Sequence, residues 1–182
     1  QSCPAVVDGA AAVVLTNKPG KGLAKPVRVL ASVVQSGVFE TGPVDMTEAE
    51  ITARAARLAY EQAGIGPEDL SLIELHDAFT ISELLYYEAL GLCKRGEAQH
   101  LLTSGATSLG GRIPVNPSGG LLAKGHPPGA TGVAQIVEIC EQLQQRAGKR
   151  QVQGARLGLS QVTGGGIWGV DHAACSIHIF SI

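Results

Sequence analysis

Short apolar runs alternate along this chain with segments of helical period, and glycine or proline marks most of the changes. Ala10 to Leu15, Val27 to Val34, Leu70 to Leu75, Leu157 to Gln161 and Ala173 to Phe180 read as strands. Thr47-Glu48-Ala49-Glu50 has the form of a capping box. Behind it Ile51, Ala55, Leu58 and Ala59 keep helical spacing as far as Gly64. Pro67-Glu68-Asp69 predicts a short turn, and a second helix is expected from about Ile81 to Leu90 before Gly91. A third carries Ile136, Ile139, Cys140 and Leu143 on one face, runs to about Ala147 and ends at Gly148-Lys149-Arg150. Strands that alternate with crossover helices give one layered α/β domain without an internal repeat or dividing linker. With 182 residues, 45% of them hydrophobic, the chain can bury a sizeable core. Aromatics make up only 4%, so aliphatic side chains must fill it.

The charge pattern excludes some partners. A net charge of −2 without a basic run leaves no electrostatic footprint for nucleic acid. No apolar stretch reaches membrane-spanning length. Cys3, Cys93, Cys140 and Cys175 are scattered without C-x-x-C spacing, which argues against a metal site or disulfide framework and for reduced thiols in a cytoplasm-like compartment. The opening Gln1-Ser2-Cys3-Pro4 has neither an initiator methionine nor a signal-peptide pattern, so the chain is expected to begin inside a longer reading frame.

The block Asn116-Pro117-Ser118-Gly119-Gly120 to Lys124-Gly125-His126-Pro127-Pro128-Gly129-Ala130-Thr131-Gly132 is the richest in chemistry. Eight glycines lie between Gly105 and Gly132, and the two prolines suit the first turn of the helix that follows. A histidine at such a helix start meets the positive end of the dipole, which favours the neutral ring. A neutral imidazole accepts a proton from a nucleophile or donates a hydrogen bond to a developing oxyanion. His126 is therefore the first candidate catalytic residue. His76 stands at the end of the Leu70–Leu75 run, with Asp77 beside it to fix its tautomer. Thr163-Gly164-Gly165-Gly166 predicts a tight loop before the last strand.

Four blocks in order, Asp8 to Leu15, His76-Asp77-Ala78-Phe79, Asn116 to Gly132 and Thr163 to Gly166, resemble the C-terminal half of the thiolase superfamily. The match is to its sterol-carrier-protein-x-like and archaeal branches. The resemblance implies a thiolase-like layered α/β half, a mixed five-stranded sheet with helices on both faces, over residues 1–182. It implies an N-terminal half, outside this chain, that carries the nucleophilic cysteine. It implies a coenzyme A thioester as substrate, no permanently bound cofactor and a homodimer or homotetramer. In relatives the Gly-His-Pro histidine, here His126, activates the thiol and helps bind the thioester oxygen. The position of His76 holds a water in the same oxyanion hole, and the loop of Gly165 forms a second one.

The chain departs from the pattern where relatives place an acid/base cysteine. Those positions are Ala78 and Val162, and neither side chain carries a proton. Cys93, Cys140 and Cys175 match neither position and are expected to be buried thiols, and Thr163 offers at most a relay. Phe79 is expected to pack, His100 to sit in a solvated loop, and His172 and His178 to belong to the last strand region. Trp168 is expected to wall an acyl pocket or fill the core, and Lys124 is a candidate contact for a coenzyme A phosphate.

Three functions are compatible with this pattern. The first is the C-terminal domain of an acyl-coenzyme A C-acyltransferase acting on 3-oxoacyl-coenzyme A and acetyl-coenzyme A. The second is a thiolase-fold aldolase that cleaves coenzyme A esters by a retro-aldol step with a small OB-fold partner. The third is a non-catalytic subunit that binds acyl-coenzyme A.

Overall fold

The computed structural model describes residues 3–18, 26–38, 45–165 and 173–182. Within them lie β1 (Arg28–Ser36), α1 (Glu50–Ala63), β2 (Leu72–Glu74), α2 (Thr80–Ala89) and α3 (Ala98–Thr103). Then come α4 (Gly120–Lys124), α5 (Thr131–Leu143), β3 (Leu157–Gly164) and β4 (Ala174–Ser181). The strands form one mixed sheet in the order β1-β4-β3-β2. β4 runs antiparallel to both neighbours, whereas β2 and β3 are parallel.

Alternation along the strands divides the core in two. Cys175, Ile177 and Ile179 of β4 join Ile73, Leu159 and the α1 residues Ile51, Ala55 and Ala59 on one face, where Tyr86, Tyr87 and Leu90 also pack. Phe180, Leu72, Ile139 and Leu143 form the second cluster, beneath α5, on the other face. Helices therefore cover both faces, as the layered reading requires.

Among the described residues the sheet has four strands rather than five. A further edge position survives as one parallel bridge, Val115 to Ile73. Proline explains its brevity: Pro114 and Pro117 flank the bridge, and neither can donate an N–H to a ladder.

The Ala10–Leu15 run is not a buried strand. Val14 is 92% and Leu15 81% exposed. Apolar composition makes burial favourable, but a strand also needs a neighbour to pair with and a surface to cover it. The arm instead pairs at one point, a bridge from Val6 to His126.

Helix ends also shift. α1 begins at Glu50 with Ala49 ahead of it and has no side-chain cap. Thr47 turns to the Asp45 carboxylate, and Arg95 bridges Asp45, Glu48 and Thr47, so the capping box is not formed. The C-terminus is as expected, with Gly64 in the left-handed region and its N–H on the Tyr60 carbonyl. β2 is shorter than Leu70–Leu75. α5 stops at Leu143 rather than Ala147, with Gln145 at φ 60° two residues on. α3 and α4 lack the length for a visible period, and His100 lies on α3 rather than in a loop.

One contact fixes how α5 lies on the sheet. A Cβ on Gly158 would stand 2.6 Å from Ile139 Cγ2, so β3 and α5 meet where only glycine fits. Gly158→Ala is expected to push α5 outward and cost about 1–3 kcal/mol in denaturant unfolding. An unchanged midpoint would show that the layers are less closely packed than this.

Candidate functional site

His76 and His126 stand 50 residues apart in sequence yet meet edge to face, with ring centroids 5.0 Å apart and planes at 83°. His76 leaves the end of β2 and is 7% exposed. Its backbone N–H donates to Gln161 Oε1 of β3 at 3.0 Å, and Gln161 Nε2 donates in turn to Thr52 of α1. His126 is half-buried between α4 and α5. Its N–H donates to the Ala5 carbonyl at 2.8 Å, and its own carbonyl accepts from the Val7 N–H at 3.3 Å. The N-terminal arm thus splints the backbone of His126. The ring's Nδ1 lies 2.8 Å from Thr131 Oγ1, the first residue of α5.

Three side chains stitch the end of β2 to the glycine-rich block. Glu74 accepts from the Ser118 N–H at 3.0 Å and the Ser118 hydroxyl at 2.7 Å. Asn116, at φ 49°, accepts the Leu75 N–H at 2.8 Å. Asp77 accepts the N–H groups of Leu121 at 2.8 Å and Leu122 at 3.2 Å. Asp77 therefore caps α4, whose first N–H groups have no partner within the helix. Gly120 has to be glycine here, at φ 63° with a Cβ site only 2.3 Å from Asp77 Oδ2.

Lys124 turns inward. Its Nζ donates to Ser118 Oγ at 3.1 Å and lies 3.9 Å from Glu74 Oε2.

Gly165 sits at the exposed end of β3 with φ 70°. A Cβ there would come within 2.8 Å of Ala173 Cβ, so the chain requires glycine at this turn. Thr163 is buried and hydrogen-bonded to the Tyr86 hydroxyl at 2.9 Å. Phe79 is 48% exposed and does not pack as expected, because it precedes α2 at the surface. His178 lies on β4 with Nδ1 3.0 Å from Ser32 Oγ, and burial pushes its pKa down. Gly166, Trp168 and His172 lie outside the described residues.

Cys175 is buried, Cys93 and Cys140 are partly so, and burial raises all three thiols, which disfavours thiolate. Cys3 is exposed. Val162 faces the start of α5, where a Cβ on Gly132 would lie 3.4 Å from its Cγ2. Among the described residues, no group of three His, Cys, Asp or Glu side chains is placed to hold a metal. No helix among them is long and apolar enough to cross a membrane.

Glu74, Gln161 and Thr131 were not candidates in the sequence. Only Glu74 left a signal there, as a lone acid inside an apolar run. Burial pushes its carboxyl up to about 7, against the opposing pull of the Ser118 hydrogen bonds and Lys124, with Glu138 adding to the rise. An acid whose pKa is raised on folding binds its proton more tightly in the native state. Stability should therefore fall as pH rises from the ordinary glutamate range through about 7. The loss is on the order of 3 kcal/mol. Glu74→Gln should remove this fall, as read from denaturant unfolding between pH 5 and 8. Parallel pH profiles for the two proteins would contradict the assignment.

Residues 40–176 match the family model for thiolase C-terminal domain-like proteins. The chain is 45% identical over 182 residues to the benzoylsuccinyl-CoA thiolase subunit BbsB of Thauera aromatica, covering 97% of this chain and 47% of that protein. Identity is 42% to the acetyl-CoA acetyltransferase of Methanothermobacter thermautotrophicus, with 98% and 46% covered. Human sterol carrier protein 2 is 45% identical over 172 residues, with 90% and 31% covered. The chain thus spans half or less of the length of these relatives. In three dimensions it resembles the Ltp2-ChsH2(DUF35) aldolase with a TM-score of 0.71 over 84% of this chain and 39% of that one. At 23% identity, that likeness shows the fold alone. On the family match and these identities, the chain belongs to the thiolase C-terminal domain family.

Proposed function

We propose that residues 1–182 form the C-terminal half of a thiolase-like acyl-coenzyme A C-acyltransferase, with the nucleophilic cysteine on a preceding half. The observation that carries this reading is the pairing of His76 and His126 at 5.0 Å, on a scaffold that determines the backbone of both. Two imidazoles so placed offer one ring to take a proton and another to hold a water or thioester oxygen beside it. In the proposed cycle His126 accepts the proton of the incoming thiol, and the sulfur attacks the thioester carbonyl. The carbonyl oxygen takes negative charge between His126 and the water on His76. Coenzyme A then leaves as the thiol, carrying the proton returned by His126. The Gly164–Gly165 turn supplies N–H donors to a second oxyanion in the carbon–carbon step.

Acyl-coenzyme A is substrate in this scheme, and no resident cofactor takes part. We place the enzyme in the cytoplasm as a homodimer or homotetramer. Ala78 and Val162 favour a second reading, a retro-aldol lyase with an OB-fold partner, because both positions lack the thiol that relatives use as acid and base.

The full-length protein is expected to release acetyl-coenzyme A from a 3-oxoacyl-coenzyme A, and His126→Ala to lower kcat by about 100-fold or more. The 182 residues alone should show no turnover, because the site is shared. Aldehyde or ketone release from 3-hydroxyacyl-coenzyme A esters, without thiolysis across chain lengths, would replace the acyltransferase by the lyase. Turnover by the isolated chain would contradict the shared site.

A further inference from the structure

We propose that Thr131 is a positioning residue that holds His126 as the Nδ1–H tautomer and leaves Nε2 as the proton-accepting atom. The inference rests on the proposed role of His126 and specifies which of its two nitrogens reacts. Thr131 Oγ1 lies between two partners, His126 Nδ1 at 2.8 Å and the Pro127 carbonyl at 2.9 Å. A carbonyl oxygen only accepts, and a hydroxyl has one hydrogen to give. The Thr131 hydrogen therefore goes to Pro127. If it pointed to Nδ1 instead, the hydroxyl and carbonyl oxygens would face each other at 2.9 Å with no hydrogen between them, in a buried space, since Thr131 is 1% exposed. With its hydrogen committed, Oγ1 accepts from the ring, and Nδ1 must carry the proton.

The backbone leaves Thr131 little freedom to change partners. Its N–H also bonds the Pro127 carbonyl at 3.0 Å, which closes the first turn of α5 beneath the hydroxyl. Pro127, in turn, directly follows His126, so the residue that orients the ring is oriented by the ring's own neighbour.

This sets an order on the chemistry. At rest Nε2 is a bare acceptor and cannot donate to an oxyanion. It first takes the thiol proton, giving imidazolium and thiolate, and only then presents Nε2–H to the thioester oxygen. His126 thus acts as base before it acts as donor, and the oxyanion contact forms only after the nucleophile is charged.

The test is 15N NMR of ring-labelled histidine in the full-length protein, with Thr131→Val and Thr131→Ser variants. The wild type should show a protonated Nδ1 and an unprotonated Nε2 for His126 in its neutral form. Thr131→Val should lose that pattern, with kcat about 10- to 100-fold lower and KM within about twofold. Thr131→Ser should restore both. A protonated Nε2 in the wild type, or the same nitrogen pattern in Thr131→Val, would overturn the assignment. Should the full-length protein prove inactive toward thioesters, the acyltransferase reading fails while the nitrogen pattern still decides the tautomer.

Discussion

The geometry of the site depends on how the end of β2 is tied to the glycine-rich block. Glu74, Leu75 and Asp77 each engage that block, through Ser118, Asn116 and the first N–H groups of α4. All three ties are hydrogen bonds of 3.0 Å or less. Release of these ties would leave His76 on the sheet and His126 on a loop, with little to hold the 5.0 Å contact. The N-terminal arm and Thr131 then act on a ring that is already in place.

The same ties explain several features that chemistry at the site does not need. Gly120 leaves room for the Asp77 carboxylate beside the start of α4. Lys124, two residues before His126, reaches back to Ser118 and Glu74, which itself lies two residues before His76. Charge near the site thus serves assembly. Burial makes Cys93, Cys140 and Cys175 poor nucleophiles.

His126 was legible from sequence because its signal is local: glycines before it, prolines after it and a helix start beyond. His76 was legible as a polar break at a strand end. The hold of Asp77 on α4 was not, because the helix that needs the cap had first to be located. Ala10–Leu15 failed for a related reason, since composition reports a preference for burial and not the presence of a covering surface. The lack of a fifth strand among the described residues could be traced only afterwards to Pro114 and Pro117, whose effect depends on where the chain returns to β2. α4 was invisible because five residues are too few for a period, yet it is the element that delivers His126.

The proposed division of labour between this chain and a thiol outside it can be tested most directly by locating an acyl adduct. The full-length protein would be mixed with acetyl-coenzyme A, quenched, digested and mapped by mass spectrometry, with His126→Ala in parallel. The account predicts one acetylated cysteine outside residues 1–182, formed in the wild type and lost or greatly slowed in His126→Ala. An acetyl group on Cys3, Cys93, Cys140 or Cys175, or an adduct that forms equally fast without His126, would contradict it.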